Sequence, residues 1–512
     1  MHGDCLRFCI RGCRKSPHGN GTPCVHSVHA RCSQSACKVK MTHRRRDISV
    51  LLFTIGSLSC YNPVMFPPFP QEKAYQLCKK LVSLLRANKI CIIPIARQSA
   101  ERKNQGIMLG AMTCMDKAGT EHVNLVTVSG ISHTIAFHNK EDFIYIPPVV
   151  APEFITQALE KNDARIHELT SLIQEAKAAG GDDHECIQKL QRERKALTTE
   201  SLQNVHHLYA FRCADGSMKS LKSICAERIN GALPPTGTGE CCAPKLLHYA
   251  FSHDLVPTSL CEVFYEKDNT DIAPCPPCSE RCGIVLPAML GVEILYRDEH
   301  IVIVNKQSGV LSVPGRGPDK QDCIVNRVKR LFPQCMEQPA VHRLDMETSG
   351  ILILAFTKEA HKHISRQFED GQVKKQYIAL LDGVLAKKGI PQEGQSELYF
   401  RLDVDNRPHQ IWDEVYGKKA VTQWKCLNVE DYTAPDGTKR PATRVLFMPH
   451  TGRTHQLRLA SADSHGFGIP IIGDTLYGTC AQGERLMLHA QYISFTHPVT
   501  GKQIELFCPP PF

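Results

Sequence analysis

The chain has 512 residues, 42% of them hydrophobic and 22% charged, which suits a soluble globular protein too long for one ordinary domain. Its net charge of +9 leans towards polyanionic partners without naming one. No apolar run reaches the roughly 18 to 20 residues of a membrane helix, so the expectation is a cytoplasmic monomer with no membrane partner.

Taken in chain order, the first 64 residues show no periodicity, and six of the 24 cysteines crowd residues 1–37. They are expected to be a disordered leader, or one created by a start placed too far upstream, with Met41 and Met65 as alternative starts. Residues 41–60 imitate a signal peptide, but the apolar stretch is short and contains Thr54 and Gly56. After "NPVMFPPFP", the segment "QEKAYQLCKKLVSLLRAN" has helical spacing, and 107–147 alternates strand-like runs with turns. Residues 152–205 read as a helical hairpin. Ile155, Leu159, Ile166, Leu169 and Ile173 recur at three- and four-residue steps, a "GGDD" turn follows, and then come Ile187, Leu190 and Leu197.

Residues 231–291 are rich in Cys, Pro and Gly. Cys275, Cys278 and Cys282 in "PCPPCSERCG" have a spacing compatible with zinc, and Cys241, Cys242, His248 and His253 could add donors. The preferred reading treats these thiols as reduced, small hydrophobes, so no metal and no cofactor is assigned. From 292 onward the texture changes to alternating β-type runs with only five cysteines. The chain is therefore divided into a leader (1–64), an α/β accessory region (65–291) and a catalytic domain (292–512).

Three clusters in the last part carry the chemistry. In "HRLDMETSGILILAF" (342–356), a Thr-Ser-Gly turn feeds a continuous apolar strand, which holds Asp345 on a loop clamped by rigid elements. "KKQYIALLDG" (374–383) is a strand carrying Tyr377 behind Lys374 and Lys375. "HTGRTHQLRLAS" (450–461) is a glycine turn and helix start with Arg453, His455 and Arg458. Taken singly, an Asp–Arg pair is more often a surface salt bridge and a strand tyrosine more often core. Together, a carboxylate, a phenol and a guanidinium with no phosphate loop or metal signature nearby suggest covalent or general-base chemistry. Arg458 opposite Asp345 would keep the acid ionised.

In order and spacing, "ILYRDEHIVIVNKQSGVLSVPG", "HRLDMETSG", "KKQYIALLDG" and "GRTHQLR" resemble the RluA-type pseudouridine synthases over residues 292–512. The form "HRLDM" followed by "RQFE" is most similar to the type acting on large-subunit ribosomal RNA and a tRNA anticodon stem-loop. The resemblance implies an α+β fold on a mixed, mainly antiparallel sheet with a central cleft. It implies a cofactor-free isomerisation of uridine in ribosomal RNA, tRNA or both, on a base turned out of its helix. Asp345 matches the essential aspartate, and the resemblance leaves open whether it attacks the base, attacks the sugar or removes a sugar proton. Tyr377 matches the residue that stacks on the uracil, Arg458 the aspartate's basic partner, and Arg343 the side chain that fills the vacated space. His342, Lys374, Lys375, Arg453 and His455 are further RNA-contacting candidates. Leu459-Ala460 stands where many relatives continue with Val-His, which bears on target choice more than on chemistry. The accessory region is expected to grip flanking RNA. A protein kinase is the enzyme rival, from "IVIVNK" and "HRLD", but no Asp-Phe-Gly and no glycine-rich loop accompany them. A non-catalytic RNA-binding module is the other.

Overall fold

The structure, a computed structural model, describes residues 67–94, 106–116, 119, 122–137, 142–178, 184–266 and 271–512. The expected leader, its signal-like stretch and the "GGDD" turn lie outside them. The chain divides into two units, one comprising residues 63–162 with 196–512; the described part of the other is 163–178 with 184–195.

The first described helix, α1 (Glu72–Arg86), buries Ala74, Leu77, Cys78, Leu81, Val82 and Leu85, a stripe at helical spacing. Strands β1 (Ile90–Pro94), β2 (Ile107–Met115), β3 (His122–Val128), β4 (His133–Phe137) and β5 (Ile144–Tyr145) follow. Then come helices α2 (Pro152–Ala178) and α3 (His184–His207), where Arg165 bridges Glu168 and Glu193 on an exposed face. Beyond them lie β6 (Ala210–Arg212), β7 (Met218–Ser220), α4 (Leu221–Ile229), α5 (Cys242–Ser252), β8 (Val256–Tyr265), β9 (Pro274–Cys275) and α6 (Cys282–Leu290). Five strands form a sheet in the order β5-β3-β2-β8-β9. Strand alternation decides its two faces. Leu109, Ala111, Cys261 and Val263 pack with α1 in one core. Met112 and Leu260 pack with α5 and α6 in another.

The remaining elements are β10 (Glu293–Arg297), β11 (Ile301–Lys306), α7 (Ile324–Leu331), β12 (Ser349–Ala355), α8 (Lys358–Glu369), β13 (Lys374–Leu381), β14 (Glu393–Leu402), β15 (Gln410–Trp412), β16 (Lys418–Thr433), β17 (Lys439–Pro449), α9 (Gln456–Ala462), β18 (Leu488–Thr496) and β19 (Gln503–Phe507). They build a ten-stranded sheet in the order β10-β11-β12-β18-β13-β17-β16-β14-β15, with β19 against β18. This is the mixed, mainly antiparallel α+β architecture expected. Its parallel contact is a short one, Ser349 and Gly350 of β12 against His489 and Ala490 of β18. Strand β12 is buried along its whole length. Ile351, Ile353 and Ala355 face α8, while Leu352 and Leu354 face the core that contains α6.

The change of texture at 292 is not matched by a gap in packing. Val285, Leu286 and Met289 of α6 share one core with Val302, Val304, Leu352 and Leu354.

Candidate active site

The loop that precedes β12 is tied down from below by the segment after β11. Lys306 is fully buried, and its ammonium donates to the carbonyls of Gln307, Val310 and Met346 at 3.0, 2.6 and 2.8 Å. Burial pushes its pKa down to about 7, against the opposing pull of Asp345. The Ser308 hydroxyl donates to Glu347 O at 2.6 Å. The Ser312 hydroxyl donates to Leu344 O at 2.6 Å and accepts from Leu344 N at 3.0 Å. Residues 344–347 thus have their backbone fixed, so the side chains they carry point in set directions.

Three carboxylates lie in this neighbourhood, and they are treated differently. Asp474, fully buried, accepts Arg458 Nε at 2.9 Å and Nη2 at 2.5 Å. It also accepts the amides of Leu476 and Tyr477 at 2.9 and 3.0 Å. Glu347 accepts Arg458 Nη2 at 2.7 Å and the Thr475 hydroxyl. Among the described residues the Asp345 carboxylate accepts no hydrogen bond. Its nearest cationic candidate is His455 Nε2, 3.9 Å away, and its side chain is 21% exposed. The expected Arg458–Asp345 pair is therefore replaced by a fork on Asp474 that also reaches Glu347. The positive charge of Arg458 still acts on Asp345, but through space. The physical reason is the geometry of the guanidinium: its Nε–Nη2 edge is already taken by Asp474 and Glu347 and leaves no N–H on that edge for Asp345.

His455 caps α9 from the left-handed region, with φ +54°. Its Nδ1 lies 2.7 Å from the Tyr477 hydroxyl, whose oxygen accepts Gln410 N at 2.8 Å. In the tautomer that takes the hydroxyl proton at Nδ1, the ring carries its own proton on Nε2, the nitrogen 3.9 Å from Asp345. Burial lowers the His455 pKa, with Asp345 opposing, which keeps the ring neutral. Tyr477 itself is pushed up to about 12, first by burial. Tyr377 lines the same cleft as Asp345, and burial, then the charge of Asp345, raises its phenol pKa. A β-bulge between Gln376 and Tyr377 interrupts the pairing with β18 just where the ring must turn into the cleft. The Thr348 hydroxyl is buried, lines the cleft and has no partner among the described residues.

Of the RNA-contacting candidates, Arg343, Lys375, Arg453 and His455 line the cleft. Lys375 lies 5.9 Å from the Phe368 ring centre and has its pKa lowered by burial; Lys374 is exposed at the start of β13. His342 stands apart. Its Nε2 accepts Ile353 N at 3.0 Å and its ring stacks on Phe368 at 4.7 Å, and burial holds its pKa near 3. Because its accepting nitrogen is already used on β12, it holds the loop to the strand instead of meeting a ligand.

Sequence reasoning gave no role to Lys306, Glu347, Thr348, Asp474 or Tyr477, although the first three fall inside quoted motifs. Among the cysteines, Cys278 and Cys282 come together with Cys241. Cys275 is turned to Ala273 O at 3.7 Å and Cys242 to Met108 O at 3.5 Å. His248 Nδ1 accepts Arg212 N at 3.0 Å, and His253 Nδ1 lies 2.8 Å from Tyr249 O.

The family model described as RNA pseudouridylate synthase matches residues 300–463. The dual-specificity RNA pseudouridine synthase RluA of Yersinia pestis is 41% identical over 218 residues, which is 42% of this chain and 97% of that protein. The proteins of the same name from Haemophilus ducreyi and Escherichia coli K12 are 41% and 40% identical over 224 and 222 residues, covering 94% and 93% of their lengths and 43% of this chain. Among solved structures, human RNA pseudouridylate synthase domain containing 1 matches 43% of this chain and 84% of its own at 28% identity, with a TM-score of 0.35.

Proposed function

Because this chain belongs to the RNA pseudouridylate synthase family, in which the enzyme isomerises uridine to pseudouridine in RNA, we propose that Asp345 is its essential carboxylate and that ribosomal RNA and tRNA supply its uridines. The observation that carries the residue assignment is the contrast among three acids. Glu347 and Asp474 are occupied by Arg458, whereas Asp345 is left unbonded on the wall of a cleft. A carboxylate that is not saturated by contacts is free to react.

The chemistry asks for little else. The bond from uracil N1 to the ribose breaks, the ring turns, C5 bonds to the same carbon, and the C5 proton leaves while N1 takes one up, with no net oxidation. A uridine stacked in a helix is sterically out of reach, so the base is taken outside its stack, at a cost of a few kcal/mol that is lower in loops. Tyr377 offers its ring face to the uracil. Its raised phenol pKa keeps the hydroxyl protonated at neutral pH, which favours stacking as its main service. Thr348 offers a hydroxyl in need of a partner, and the base has carbonyl and N–H edges to meet it. Arg343, Lys375 and Arg453 at the rim suit the phosphates and the gap left by the base. Arg458 and His455 stand beside Asp345, one as a fixed charge acting through space and one as a ring nitrogen 3.9 Å away.

Residues 65–291 are proposed to hold RNA flanking the target and so to choose it. Crosslinks from a bound RNA mapped to this region are expected, and crosslinks confined to 292–512 would remove the idea. No described helix is long and apolar enough to cross a membrane. Tritium release from RNA labelled at uracil C5 tests the central assignment. Asp345→Asn is expected to lower release by at least about a thousandfold with RNA binding and melting temperature kept. Release within about tenfold of the parent would take Asp345 out of the reaction.

A further inference from the structure

The Cys-rich segment before the catalytic domain has no part in the chemistry above, yet it brings three thiols together. The sulfur atoms of Cys241, Cys278 and Cys282 all lie within 4.8 Å of one another. A tetrahedral zinc with Zn–S of about 2.3 Å sets its sulfurs about 3.8 Å apart, so closing the trio on an ion needs shifts of an ångström or less.

The backbone around the trio has the form such a site needs. Cys278 Sγ accepts Cys282 N at 3.5 Å and Cys278 O accepts Gly283 N at 3.1 Å, a tight turn that presents two sulfurs from one loop. Cys282 opens α6, and Cys241 stands at the N-cap of α5 without using its side chain to cap. Two helix N-termini therefore point their positive ends at the same spot, offsetting the negative charge of three thiolates on a divalent ion. Cys278 is exposed and gives the ion an entry, while Cys282 is buried and anchors it.

We propose that Cys241, Cys278 and Cys282 form a zinc site, with solvent completing the tetrahedron at the Cys278 side. The site ties the 278–282 loop to α5 and so fixes α6, whose Val285, Leu286 and Met289 enter the core shared with the catalytic sheet. Its purpose is structural, and Cys275, three residues before Cys278, takes no part.

The test uses full-length protein purified without chelator. Zinc released by a thiol-blocking reagent is compared for the parent and for Cys241→Ser, Cys278→Ser and Cys275→Ser, beside intact mass and thiol counts. The parent and Cys275→Ser are expected to carry the same zinc, and the Cys241 and Cys278 variants to hold about one zinc less per chain, with a lower thermal midpoint. Should the variants fold poorly, Co2+ titrated into stripped parent protein is expected to give sulfur-to-cobalt charge-transfer absorption that Cys275→Ser keeps. Zinc content equal in all variants, absence of that absorption, a mass showing a disulfide within the trio, or loss in Cys275→Ser equal to that in Cys241→Ser would each overturn the assignment.

Discussion

Arg458 acts on Asp345 through space without touching it, and the difference decides what substitution should do. Arg458 is 2% exposed and serves two carboxylates with one planar fork. Arg458→Ala would leave Asp474 charged and buried without its cation, so a loss of about 3–5 kcal/mol is expected in urea unfolding. Arg458→Lys restores a charge but not the fork, and recovery of only part of that stability, with turnover still reduced, would agree with the geometry. His455 poses a subtler case, since it meets Asp345 through Nε2 at 3.9 Å and meets Tyr477 through Nδ1. His455→Ala is expected to lower kcat by about ten- to a hundredfold with KM little altered, because the ring lies beside the acid. A change confined to KM would speak for RNA contact instead. The motif singled out Asp345 as a candidate at once. Its electrostatic setting was not legible, because Arg458 reaches Glu347 across 111 residues and Asp474 across 16, and such pairs follow sheet register, which residue spacing does not encode.

Elements were easier to read than their order. The unbroken apolar run 351–356 announced a strand, and the structure buries that strand on both faces. That β12 lies parallel to β18 and antiparallel to β11 could not be read from that run. The junction is narrow and rests on Gly350, whose φ is +118° and where an added Cβ would stand 2.3 Å from the carbonyl oxygen of Ala490. Gly350→Ala should therefore destabilise the protein by about 2–4 kcal/mol, through both the backbone conformation and the clash. Denaturation midpoints measure it, and a variant as stable as its parent would mean that the two strands part easily. The same β18 that meets Gly350 carries the irregularity opposite Tyr377, so β18 sets the position of the aspartate loop on one side and of the phenol on the other.

For the molecule as a whole, the buried histidines set a limit in acid. His489 is 1% exposed; its Nδ1 accepts the Ser349 hydroxyl at 2.9 Å and its Nε2 donates to Cys508 O at 3.1 Å, an arrangement for the neutral ring. Burial holds its pKa near 4, against 6.5 for a free imidazole, and His342 is lowered in the same direction. The unfolded chain therefore takes up protons that the folded chain refuses, and stability is lost as pH falls below about 6.5. For His489 alone the loss between pH 6.5 and about 5 amounts to about 2 kcal/mol. Unfolding free energies measured across that range should fall, and should fall less steeply in His489→Gln. At this scale the sequence spoke least clearly. Its composition broke at 292, while the packing runs through, because side chains on either side of a change in texture can fill one interior. One outcome of that continuity concerns truncation. Cutting the chain at 292 would strip Val285, Leu286 and Met289 from Val302, Val304, Leu352 and Leu354 and leave those four apolar side chains facing water, an invitation to aggregate.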